Sequence, residues 1–394
     1  MAAAAIYPAI HGARYPKDTT LTMRRWLPGN VAPAVMMAMF CVALFGGHKK
    51  KEEEPKPQVL PLPRELPMAL AADTQRLTFR NTPLLEAGRL SSQIKDSLAY
   101  LVRESRGENI VKMRAFVSGA GDSRRVQGLV SEMFTDKKLP LPVLTIVQVG
   151  SVGDDAAGII IEGVASSKKV ENPNGLAFFA GEKGASLEAA IAKLESSIKA
   201  VSLDARDVVR STCFTARITD YESMRNAMAT AFPGAAINLV QGLREPIDSA
   251  STCEAVARLK SSVQGAGRTY VGNSRVFFVT SPQIVFTGMQ LSFGTFLDDA
   301  DSALSHLQRD LDAVHVRIGD AVMLNAFSLS PAAASALRKT MPKFDVPAEA
   351  LTVEPVEGLP SLDAALGMEA VLVPGGPLSR EARIRKDTPP AGSR

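Results

Sequence analysis

Internal repetition constrains this 394-residue chain more than any other property, because it fixes a repeated architecture before any single element is assigned. Three successive segments run through the same order of strand, helix, strand, helix and closing strands. The middle one is the clearest. Leu176–Gly181 reads as a short strand ending in glycine. From Ser186, apolar residues fall at Leu187, Ile191, Leu194, Ile198 and Val201, which is one face of an amphipathic helix. Ser186 suits the N-cap, and Glu188 suits the first turn. Asp207–Ala216 is rich in Val, Thr and Phe and reads as a strand. Tyr221, Met224, Met228 and Phe232 mark a second helix, and two strands close the unit at Ile237–Gln241 and Thr252–Leu259. The first segment repeats this order from Leu77 to Ala165, and the third, more divergent, from Val285 to Val373. The third carries an extra apolar stretch at Val276–Val279. Such an order implies an α+β fold with helices on one face of each sheet.

The closing strands carry a recurring pair of markers. The first segment has Val147-Gln148, then Glu162-Gly163-Val164-Ala165; the second has Val240-Gln241, then Glu254-Ala255-Val256-Ala257. The third has Val353-Glu354, Gly358-Leu359-Pro360 in the loop, then Glu369-Ala370-Val371-Leu372. In these markers residues 75–375 resemble the Rid family (reactive-intermediate deaminases, also called YjgF or L-PSP). The resemblance implies three tandem ββαβαββ domains of the chorismate mutase-like type. Rid proteins are typically homotrimers with sites between subunits, so it also implies a single-chain pseudo-trimer, with trimerisation satisfied inside one chain. The expected bounds are 75–168, 169–265 and 266–376, with a disordered tail at 377–394.

The resemblance carries a mechanism. Deaminating members place an arginine about four residues before the Gln or Glu of the first marker, where it grips the substrate carboxylate in a bidentate pair. The closing glutamate positions the attacking water. Here the arginine position reads Leu144, Ile237 and Ala350 or its neighbour Leu351, all aliphatic. Glu162, Glu254 and Glu369 remain, either as a vestigial site or as structural carboxylates. Gln148 and Gln241 line the same expected clefts, and Arg244 is the nearest replacement cation. Arg114, Arg210 and Arg217 are expected as solvated strand-face charges, so that no guanidinium stands in a seam. The expected function is a small-metabolite or protein-partner binding protein without deaminase activity. The alternative is an imine or enamine deaminase active in one cleft.

Other chemistries find no support in the sequence. Four histidines, His11, His48, His306 and His315, lack metal-ligand spacing, so no metal and no cofactor are expected. Forty-five basic and 41 acidic residues leave a net charge of +4, too balanced for a nucleic-acid partner. Cys213 and Cys253 fall on strands and read as small core residues, with a disulfide between them as the alternative. Ahead of the repeats, Arg24-Arg25 precedes an apolar run within residues 27–47, followed by Lys49-Lys50-Lys51-Glu52-Glu53-Glu54 and a Pro-rich stretch. That pattern predicts an export signal or membrane anchor over 1–48, a linker over 49–74 and a cell-envelope location.

Overall fold

The computed structural model describes residues 64–381 apart from 120–122, 154–155, 264–266, 273–274 and 376–378. The expected signal or anchor and most of the expected linker lie outside the described residues. Among the described residues no helix is long and apolar enough to cross a membrane.

The fold is a mixed α+β arrangement of three sheets. The chain opens with β1 (Ala69–Asp73), β2 (Leu77–Asn81), α1 (Leu90–Glu104), β3 (Asn109–Ser118), α2 (Arg124–Asp136), β4 (Val143–Val149) and β5 (Ile159–Ser166). It continues with β6 (Leu176–Gly184), α3 (Leu187–Ala200), β7 (Val208–Thr215), α4 (Tyr221–Ala231), β8 (Ala236–Gln241) and β9 (Ser251–Arg258). A short hairpin follows, β10 (Arg268–Val271) and β11 (Val276–Val279). The last stretch holds β12 (Gln283–Thr287), β13 (Gln290–Ser292), α5 (Leu297–Asp312), β14 (Ala321–Ser328), α6 (Pro331–Thr340), β15 (Leu351–Pro355), β16 (Leu366–Leu372) and β17 (Ser379–Glu381).

The middle strand of each segment pairs the same way on both sides. β3, β7 and β14 each run parallel to the strand after the next helix, β4, β8 and β15. Each runs antiparallel to the closing strand, β5, β9 and β16. The parallel pairs need a crossover, which α2, α4 and α6 supply. Capping fixes several helix starts: Ser186, Asp220 and Ser330 each accept a hydrogen bond from a backbone N–H three residues on. Pro331 at the first position of α6 costs no backbone bond there.

Alternation along the strands divides the core. On β3, Met113, Ala115 and Val117 pack under α1 and α2 with Ile94, Leu98 and Phe134. The second and third sheets have matching outer clusters beneath their own helices. The opposite faces of all three sheets meet each other, through Val111, Phe178, Val256, Phe286 and Val322 at one level and Phe116, Phe214 and Phe327 at another. The three phenylalanines occupy corresponding strand positions and pack edge-on or tilted, with centroids 5.7, 6.4 and 6.2 Å apart.

Three elements cross the boundaries expected from the sequence. Ala69–Asp73, placed in the linker by its position, is a strand that pairs with β12 and so completes the third sheet. The extra apolar stretch Val276–Val279 pairs with β6 in the second sheet, not the third. Ser379–Glu381, expected in the tail, lies parallel to β10. These pairings are non-local, and edge strands recruit whichever partner lies beside them. Cys213 and Cys253 stand directly opposite across β7 and β9 and form a disulfide, so the alternative pairing replaces the reading as free core residues.

Candidate functional site

The strand register brings charge into the middle of the molecule. Lys112 and Arg114 on β3, and Arg210 on β7, point inward among the apolar faces, buried to 7, 4 and 7% exposure. Arg114 and its counterparts Thr212 and Asn325 each face a closing glutamate across the antiparallel pair: Glu162, Glu254 and Glu369. All three glutamates are 4% exposed or less. They converge on the single guanidinium of Arg114, which donates through Nε to Glu369 at 2.6 Å and through Nη1 to Glu254 at 2.9 Å and Glu162 at 3.2 Å.

The remaining lone pairs are largely satisfied. Glu162 accepts from Thr212 Oγ1 at 2.6 Å and Asn238 Nδ2 at 2.8 Å. Glu254 accepts from Asn325 Nδ2 at 2.9 Å and from Arg210. Glu369 accepts from Thr145 and pairs with Lys112 at 2.5 Å. Lys112 also donates to Thr145 and to the Thr287 carbonyl, each at 2.7 Å. Three carboxylates therefore meet three cations, and the guanidinium lies 5.9 Å from the rings of both Phe116 and Phe327. Burial works against the Arg114 charge, but Glu369, Glu254 and Glu162 outweigh it and hold its pKa above the ordinary value. Burial would raise Glu369, yet Arg114 and Lys112 pull it down to about 2. Burial lowers Lys112 to about 8, with Glu369 opposing. A cavity of about 20 Å³, the size of one water, adjoins Arg210, whose Nε has no protein partner.

This geometry corrects several expectations. Arg114 and Arg210 are not solvated strand-face charges; each sits on the inward face, where alternation carries it to the centre. Arg217 and Arg244 are exposed, and Arg244 is held by its backbone N–H to Glu357. The closing glutamates stand at the centre, away from the clefts between sheets. Gln148 and Gln241 clamp loops: Gln148 donates to the Gly119 carbonyl, while Gln241 accepts from Ile218 N–H and donates to the Leu243 carbonyl. The third marker is shifted by one residue. Val117 and Thr215 pair with Gln148 and Gln241, and their counterpart Ser328 pairs with Pro355. Glu354 therefore corresponds to Val147 and Val240, and Leu351, not Ala350, to Leu144 and Ile237.

Clefts open between neighbouring sheets. One of about 480 Å³ lies between the first and second, lined by Asn81, Tyr100, Tyr221, Arg225 and Ile237. Another of about 400 Å³ lies between the second and third, lined by Lys183, Thr252, Arg275, Arg338, Leu351 and Glu354. Leu144 is buried, and its carbonyl accepts from Met289 N–H. Ala350 is wholly buried in the central apolar layer. Arg275 overturns the expectation that no guanidinium stands in a seam. It reaches in from the turn before β11 and donates to the carbonyls of Gly181 and Leu351, both at 2.7 Å. Gly181 is required here, since a Cβ would fall 2.5 Å from Thr252 and 2.7 Å from Thr352. Glu354 is 6% exposed, and its Oε1 has no partner. Burial raises its pKa to about 8, against the opposing hydrogen bond from Thr252. The central cluster had a sequence signal: charges at alternate positions of otherwise apolar strands. Arg275 had none, and Glu354 was legible only as a marker residue, because the place of each in the cleft depends on contacts between distant segments. Among the described residues no group of three or more His, Cys, Asp or Glu is placed to hold a metal.

No protein-family model matches the chain, and no curated protein matches it. Similar solved structures include a member of the YjgF protein family from Neisseria meningitidis, 8% identical over 26% of this chain and 86% of that one, with TM-score 0.21. A chorismatase is 11% identical over 78% of this chain and 100% of its own, with TM-score 0.24. A cyanuric acid hydrolase from A. caulinodans is 10% identical over 77% and 99%, with TM-score 0.20.

Proposed function

We propose that the chain is built of three Rid-like modules closed into a single-chain pseudo-trimer, and that it binds a small molecule between modules without deaminating it. The observation that carries this reading is the fate of Glu162, Glu254 and Glu369, all spent on Arg114 and its neighbours in a buried, charge-balanced cluster. A buried carboxylate already bonded to three or more donors is poorly placed to take a proton from a substrate water. The aliphatic Leu144, Ile237 and Leu351 support the reading further, because none can grip a carboxylate. The recurring strand order and the three corresponding phenylalanines support the pseudo-trimer. The Cys213–Cys253 disulfide agrees with passage through an oxidising compartment, and with it an envelope location.

Arg275 favours a second reading, a deaminase confined to the cleft between the second and third modules. Two of its guanidinium nitrogens are already bonded to carbonyls, which leaves it a poorer fork for a substrate carboxylate. Freshly generated 2-aminoacrylate separates the readings. The binding reading expects the purified full chain to leave its decay at the buffer rate. An accelerated decay that disappears in Arg275→Gln would establish the deaminase.

A further inference from the structure

We propose that the cleft between the second and third modules is a site for a compact dianion, a dicarboxylate or a phosphate group, held by Lys183, Arg275 and Arg338 over Glu354 as a hydrogen-bond donor. This deepens the binding reading above and rests on it. The cleft differs from its counterparts in chemistry. Where Glu354 and Thr252 stand, the seam between the first and second modules has Val240 and Ile160, and the remaining seam has Val147 and Gly367. A carboxyl in place of a fully buried valine costs stability, and a role toward a ligand accounts for its presence.

The charges set the class of ligand. Lys183 and Arg338 stand on the rim, and Arg275 is half-buried inside. Asp248 offsets one of them through Lys183 at 3.1 Å. The groups facing Glu354 are Thr252 and the more distant Glu254 on β9, Lys183 on β6, and Asp248 in the loop before β9. Among the described ion pairs only Lys183 of the three cations has a carboxylate partner, so with Glu354 neutral the cleft matches a dianion better than a monoanion. Its volume of about 400 Å³ suits a small metabolite. A protonated Glu354 can donate from Oε1 to a ligand oxygen, while Thr252 occupies the carboxyl from the other side.

Titration calorimetry on the full chain tests this with three probes: malonate, inorganic phosphate and acetate. Malonate keeps its charge between pH 7 and 9, so changes there report on the protein. Malonate or phosphate is expected to bind at least about tenfold more tightly than acetate, and the tighter of the two identifies the source. Lys183→Gln with Arg338→Gln, both on the surface, should weaken binding by about tenfold or more. Malonate affinity should fall about tenfold from pH 7 to 9 as Glu354 ionises, and should not fall in Glu354→Gln. The proposal is overturned if neither dianion binds at about 10 mM, or if the double variant binds as the parent does. Turnover of 2-aminoacrylate with dianion binding intact would remove only the non-catalytic reading. Absence of both turnover and dianion binding would remove only this one.

Discussion

Replacing Glu354 by glutamine should stabilise the protein at neutral and alkaline pH and do so progressively less toward acid. Burial lifts the Glu354 carboxyl to about 8 from an ordinary value of 4.5. The folded state therefore holds this proton more tightly than the unfolded chain does. Stability from the group is complete below the unfolded value and is lost as pH climbs toward the folded one. At about 1.4 kcal/mol per tenfold, the loss reaches about 3 kcal/mol at pH 7 and about 5 kcal/mol above pH 8. Glutamine has no such titration and can still accept from Thr252. Urea unfolding of the full chain and of Glu354→Gln at pH 4, 7 and 9 measures the difference directly. The gap between the two should widen by about 3 kcal/mol from pH 4 to pH 7. A constant offset across the three pH values would refute the reasoning, because it would mean that Glu354 titrates normally and is not desolvated.

Two further outcomes follow from the packing. Phe214→Ala removes one of three rings that pack against each other where the sheets meet, and should cost about 3–5 kcal/mol by urea unfolding, as a large core deletion does. Thiol titration of the unfolded, unreduced chain should find one reactive cysteine of three, Cys41, with Cys213 and Cys253 joined.

Periodicity made the helices legible. Leu187, Ile191, Leu194 and Ile198 do form the buried face of α3, and Ser186 does cap it. The order of strands was legible for the same reason, since alternation and apolar runs are local properties. The destination of the glutamates was not. Their place in the closing strands could be read, but whether a strand face looks outward into a cleft or inward to the centre depends on how three sheets meet. The one-residue shift at Glu354 was hidden by Pro355, which occupies the position of Gln148 and Gln241 and breaks the pattern of the marker. Ala69–Asp73 and Val276–Val279 joined unexpected sheets because strand partnership is settled by contacts far apart in sequence.

Arg114 is the hub on which all three segments converge, and losing it would leave three buried carboxylates to two cations. A double-mutant cycle of Arg114→Met and Glu254→Gln, followed by urea unfolding, measures that hub most directly. Arg114→Lys serves as a second arm, since lysine keeps the charge but cannot reach three carboxylates in one fork. The account predicts a coupling of at least about 2 kcal/mol between the two sites, and a substantial loss in the lysine arm as well. Effects that add within about 0.5 kcal/mol would contradict it, for they would mean that the glutamates do not meet at one guanidinium.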